Sequence, residues 1–98
     1  MKKLWIARTE IGVEPGDLPS GSTLMFCNVI TWADEPKEAE DKIREYLATF
    51  KWNLIEAEKI ELADREKDYG EDFNELLDQA AGNANAIILG KFHSYKPM

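Results

Sequence analysis

Four acidic residues in the second half of the chain have the spacing of a calcium-binding loop. Asp64, Glu66, Asp68 and Glu75 occupy positions 1, 3, 5 and 12 of that template, in which carboxylate oxygens surround the ion. The sharp turn of the template needs glycine, but Tyr69 stands there, and the preceding segment is typical of a strand. We therefore predict no metal site and interpret the segment as a solvated charged loop.

Nucleophilic catalysis would depend on Cys27 and His93, because the chain has one cysteine and one histidine. A reactive thiolate needs an exposed, cation-rich setting that lowers the pKa of the thiol. Cys27 lies instead in an apolar run, which predicts a buried and unreactive thiol. Because it is the single cysteine, an intrachain disulfide is excluded. The sequence contains none of the motifs GxxxxGK, GxGxxG, CxxC, HExxH or GxSxG, so we predict no catalytic residues and no cofactor.

Polar residues interrupt three of the predicted strands. If the first, second and fourth strands are neighbours, four of these residues come together: Arg8, Asn28, His93 and Tyr95. Such a group is a candidate polar floor for a ligand pocket. Ordinary solvent-facing sheet residues give the same pattern, so both interpretations stay open.

Acidic residues are concentrated between Glu56 and Asp78, where ten acids face only three bases, Lys59, Arg65 and Lys67. This segment carries the whole formal net charge of −7. Such a field favours cationic partners and repels nucleic acid phosphates. The predicted partner-binding surface consists of Glu58, Glu61, Asp64, Glu66, Asp68, Glu71, Glu75 and Asp78.

The elements that position these residues follow from hydrophobic periodicity. Alternation predicts strands at 3–13, 23–32, 52–62 and 86–95, the second being apolar on both faces and therefore central. The third breaks its alternation, as at a bulge or a partly exposed edge. Helical periodicity predicts one helix from an Asp34 cap through Phe50 and another from Glu71 to a stop at Gly82.

The order β-β-α-β-α-β predicts an α+β two-layer sandwich, a four-stranded sheet with two helices on one face. It is similar in style to ferredoxin-like folds, although the element order differs from theirs. The 98 residues fit one domain, 1–98, with 44% hydrophobic residues for a core. No apolar run is long enough for a signal peptide or a membrane span, so we expect a soluble cytoplasmic protein without membrane contact.

We expect a non-enzymatic interaction module with a basic protein partner. In size and charge the chain resembles toxin-immunity proteins, which implies inhibition or neutralisation of that partner. The alternative is a small dimeric ligand-binding protein or enzyme with its pocket near Arg8 and His93. A homodimer through the open sheet face competes for the same apolar residues, and the acidity argues against a nucleic acid partner.

Overall fold

One antiparallel sheet and two helices make up the fold. The computed structural model describes residues 2–18, 21–64 and 66–90, together with the strand backbone at 93–94. In chain order the elements are β1 (Lys3–Gly12), β2 (Leu24–Ala33), α1 (Pro36–Ala48), β3 (Asn53–Leu62), α2 (Glu71–Ala81), β4 (Ile87–Leu89) and β5 (His93–Ser94). The predicted α+β class and element order are confirmed, with the predicted last strand divided into β4 and β5.

The sheet has the order β3-β1-β2-β4, and all of these neighbours pair antiparallel. β5 also pairs with β2, but its register is shifted by one residue relative to that of β4. β2 is central, as its two apolar faces predicted. β3 lies at an edge, and its register with β1 shifts at two places, which confirms the predicted irregularity.

The two helices pack on opposite faces of the sheet. Ala7 and Val29 form one core with Ile43 of α1, whereas their chain neighbours Ile6 and Ile30 form another with Leu77 of α2. Successive residues of a strand point to opposite faces, so these cores are separated by the sheet itself. The layers are therefore helix, sheet and helix, and not the predicted sheet with both helices on one face.

This difference has a physical reason in β2. Val29 and Ile30 are both fully buried, and each needs apolar cover on its own face. α1 supplies the cover on one side through Ala39, Ile43 and Leu47, which recur every four residues. α2 covers the other side only in part, and its apolar contacts lie at the Leu4 and Ile6 end of β1.

The ends of α1 differ from the prediction. The N-cap is Glu35 and not Asp34, no side chain caps the first turn, and Pro36 occupies the position where no backbone donor is needed. The helix ends before Phe50, whose ring is half exposed and packs at 5.2 Å, centroid to centroid, from both Tyr46 and Trp52.

Both described helices are too short and too polar to cross a membrane.

Candidate functional site

A row of polar side chains crosses three strands at the point where the cover of α2 ends. Arg8 is paired in register with Asn28 on one side and with Lys59 on the other, so all three lie on the α2 face. The preceding row holds Ile6 between Ile30 and Glu61. The structure thus brings Arg8 and Asn28 together, as the pocket hypothesis predicted.

A cavity of about 300 Å³ opens above this row. We call it the Arg8 cavity. Its floor is formed by Ile6, Arg8, Asn28, Lys59 and Glu61. Its wall is formed by Lys67, Tyr69 and Phe73, from the loop before α2 and its first turn. The site therefore combines a charged sheet row with two aromatic rings.

The loop before α2, which contributes Lys67 and Tyr69 to the wall, is held by hydrogen bonds that its own carboxylates accept. Asp64 Oδ1 accepts a hydrogen bond from the Glu66 amide at 2.9 Å, and the hydroxyl of Tyr69 accepts one from the Asp64 amide at 3.1 Å. Asp68 Oδ1 accepts from the Gly70 amide and from Asn74 Nδ2, both at 2.9 Å. Asp64 and Asp68, predicted as partner-binding residues, therefore act first as parts of the loop's structure.

These hydrogen bonds also set the charge of the loop. The Gly70 amide, followed by the Asn74 side chain, holds the pKa of Asp68 below its usual value because both stabilise the carboxylate form. Asp68 therefore keeps its negative charge to a lower pH than an ordinary aspartate does. Across the loop, Lys67 Nζ lies 5.1 Å from the centroid of the Tyr69 ring, a cation–π distance.

The charge of the Arg8 cavity is opposite to that of the chain. Arg8, Lys59 and Lys67 line it with a single carboxylate, Glu61, which lies 3.4 Å from Lys59 Nζ. Within the described part of the chain Arg8 forms no ion pair. The lining of the cavity therefore carries three cations against one carboxylate.

The predicted partner-binding acids do not form one surface. Glu58 lies at the register shift of the β3 edge strand, and Glu61 lies inside the Arg8 cavity. A shallow concavity on the outer side of α2 brings Asp68, Glu71, Glu75 and Asp78 together. Glu66 borders a second concavity shared with Asp68 and Asp78. We call these five residues the α2 acidic surface: Glu66, Asp68, Glu71, Glu75 and Asp78.

The two helices treat their acids differently. α1 pairs three of its four acids with bases of its own: Lys37 lies 3.0 Å from Asp41, Arg44 lies 3.9 Å from Glu40, and Lys42 lies 3.7 Å from Glu38. α2 contains four acids and no base. Over residues 2–18, 21–64 and 66–90, no ion pair is formed by Glu66, Glu71 or Glu75.

Cys27 is buried, as predicted, with 3% of its surface exposed. Burial raises the pKa of its thiol to about 12, because the thiolate would lose its hydration. Its Sγ lies 3.5 Å from the Gly90 carbonyl oxygen, which accepts from it weakly. The thiol is therefore protonated at neutral pH and is a poor nucleophile.

Two members of the predicted pocket fall outside this description. The backbone of His93 pairs with Phe26, but its side chain and all of Tyr95 lie outside the described residues. Sequence reasoning missed Lys59, because its place beside Arg8 depends on the strand order and on the β3 register. It also missed the wall residues Tyr69 and Phe73, although an aromatic pair just before and inside the first turn of an acidic helix was visible.

Among the described side chains, no three of His, Cys, Asp and Glu converge in a way that could hold a metal ion. Comparison with protein-family models, with curated proteins and with solved structures finds no match to this chain.

Proposed function

We propose that the protein is a non-enzymatic interaction module that binds a basic protein partner through the α2 acidic surface. The observation that carries this proposal is that Glu66, Glu71 and Glu75 form no ion pair within the described residues, whereas three of the four acids of α1 do. Resemblance to toxin-immunity proteins in size and charge extends the proposal to inhibition or neutralisation of that partner, in the cytoplasm.

Glu71 and Asp72 suit the first turn of α2, where the helix dipole favours acids, but two other features of the α2 acids are unfavourable. Glu71 and Glu75 are four residues apart, so they are neighbours on the helix surface and repel each other. Asp78 lies in the last turn, where the helix dipole favours bases. A basic partner relieves both unfavourable terms when it binds, which adds to the attraction between the two surfaces.

Charge complementarity of this kind mainly accelerates association and selects the partner. Binding should therefore weaken steeply with added salt, because the charges are exposed and screened. Asp68 is fixed in the loop by its hydrogen bonds, so variants that test the surface must avoid it.

The test compares three baits in an extract of cells that produce the protein. The wild type is compared with Glu71→Lys/Glu75→Lys and with Glu14→Lys/Glu45→Lys, which makes the same change of net charge at exposed positions elsewhere. We expect an identified basic protein to be retained by the wild type and by the control, and lost by the α2 variant and at high salt. Equal retention by all three baits, or capture of no basic protein, contradicts the proposal.

The predicted homodimer through the sheet stays a prediction. Beyond the Arg8 row, the α2 face carries the half-buried Leu24 and Phe26 and the exposed Ile55. Light scattering after size exclusion, at low and at high salt, measures whether a second copy covers them. A salt-independent dimer would favour a function located in pockets of the dimer over one located at the α2 acidic surface.

A further inference from the structure

We propose that the Arg8 cavity is a binding site for a small organic anion, a carboxylate or phosphate group carried on a planar ring. This site adjoins the α2 acidic surface, with Lys67 at the edge of both, and its lining has the opposite charge. Its floor supplies the groups that bind an anion, and its wall supplies the surface that holds a ring.

The anion-binding half is the pair formed by Arg8 and Lys59. They are direct cross-strand partners on the same face, and like charges at such positions destabilise a sheet. Lys67 adds a third cation from the opposite side of the cavity. An anion between these groups removes their repulsion, and the planar guanidinium can donate two parallel hydrogen bonds to a carboxylate or phosphate.

The acids near the cavity leave Arg8 and Lys67 without an ion pair within the described residues. Glu61 is the carboxylate that lines the cavity. It pairs with Lys59, so it is not an ion-pair partner of Arg8 or Lys67. The next row of the same face holds Glu10 opposite Glu56. Neither of these two lines the cavity, and within the described residues neither forms an ion pair.

The ring-binding half is formed by Tyr69 and Phe73, whose ring centroids lie 5.5 Å apart, and by the buried Ile6 beneath them. Apolar and aromatic walls with a few convergent polar groups are typical of small-molecule sites. The Asn28 amide, which can both donate and accept, completes the floor on its β2 side. At about 300 Å³ the cavity has the size of a single small molecule and not of a polymer segment.

The experiment is an NMR titration of the ¹⁵N-labelled protein with phenyl phosphate, with benzoate and with inorganic phosphate, followed through the Asn28 side-chain amide and the backbone amides around Arg8. We expect saturable chemical-shift changes with phenyl phosphate or benzoate. Whichever of the two has the lower Kd identifies the anionic group that the site prefers. Inorganic phosphate should bind more weakly than phenyl phosphate because it makes no ring contact.

The matched variants are Arg8→Gln and Arg44→Gln, which remove the same charge from an exposed arginine inside and outside the cavity. Arg8→Gln should weaken binding at least about tenfold, the loss expected for a single charge-assisted hydrogen bond, and Arg44→Gln should not. Arg8→Gln should also unfold at a temperature no lower than the wild type, because it removes the repulsion with Lys59.

Three results would overturn the proposal. The first is the absence of saturable shifts with both aryl anions. The second is equal weakening by the two arginine variants, which would reduce the effect to general charge. The third is a large loss of stability in Arg8→Gln, which would assign Arg8 a structural role. None of them bears on the α2 acidic surface, whose test uses other residues.

Discussion

The buried thiol of Cys27 should make the protein lose stability in alkali. Its pKa is about 12 in the folded chain, against an ordinary value of 9.0 that applies once the chain unfolds. Because the folded state holds its proton more tightly, this contribution is fully present below pH 9 and is lost as the pH rises towards 12. Between about pH 7 and about pH 10 the free energy of unfolding should fall by about 1.4 kcal/mol from this group alone.

The assay is urea unfolding at both pH values, followed by tryptophan fluorescence, for the wild type and Cys27→Ala. Other groups titrate equally in both proteins, so the difference between their pH dependences isolates the thiol. The cost of the cavity left by alanine is present at both pH values and cancels. Equal pH dependence in the two proteins would refute the reasoning and would mean that the thiolate is solvated in the folded state.

Two further predictions concern packing. Gly90→Ala should lower the free energy of unfolding by roughly 1 kcal/mol, because a Cβ there would lie 3.1 Å from the Asn28 carbonyl oxygen. Gly82→Ala, where a Cβ would meet only ordinary contacts, should be neutral in the same urea unfolding assay. Equal effects of the two substitutions would show that the β2–β4 pair can separate freely. Ile30→Ala and Ile43→Ala should each cost about 2–5 kcal/mol. In hydrogen exchange Ile30→Ala should loosen α2 and Ile43→Ala should loosen α1, and equal loosening of both helices would contradict separate cores.

The sequence predicts the elements well because their signals are local. Ala39, Ile43 and Leu47 repeat at helical spacing, and that spacing alone places α1 and its buried face. The irregularity of β3 was visible in the same way, as a break in its alternation. Phe50 continued the helical spacing of α1, but the chain leaves the helix before it, and Lys51 takes a positive φ of 63°.

The faces on which the helices pack are not a local property. The sequence shows that β2 is apolar on both faces. That pattern is compatible with either a second helix or a second copy of the chain as the cover of the second face. In the structure α2 provides this cover through Leu77 and Ala80. The same limit applies to the site: Arg8 and Asn28 could be grouped by assuming adjacent strands, but Lys59 could not, because its register depends on where β3 is irregular.

The loop from 64 to 70 links the two proposed sites. The sequence groups its acids into one surface, whereas the structure divides them by role. Asp64 and Asp68 bond to the loop backbone, and Asn74 donates to Asp68 while its own oxygen accepts from the Tyr69 amide at 3.2 Å.

These bonds hold Tyr69 against the cavity on one side of the loop, and on the other side they place Asp68 at the start of the α2 acidic surface. The cluster of acids therefore contains two kinds of residue that composition cannot separate. Some carboxylates satisfy backbone donors and shape a site of opposite charge, and others, Glu71 and Glu75 among them, face outward without bases beside them on α2. A basic partner would meet only the second kind.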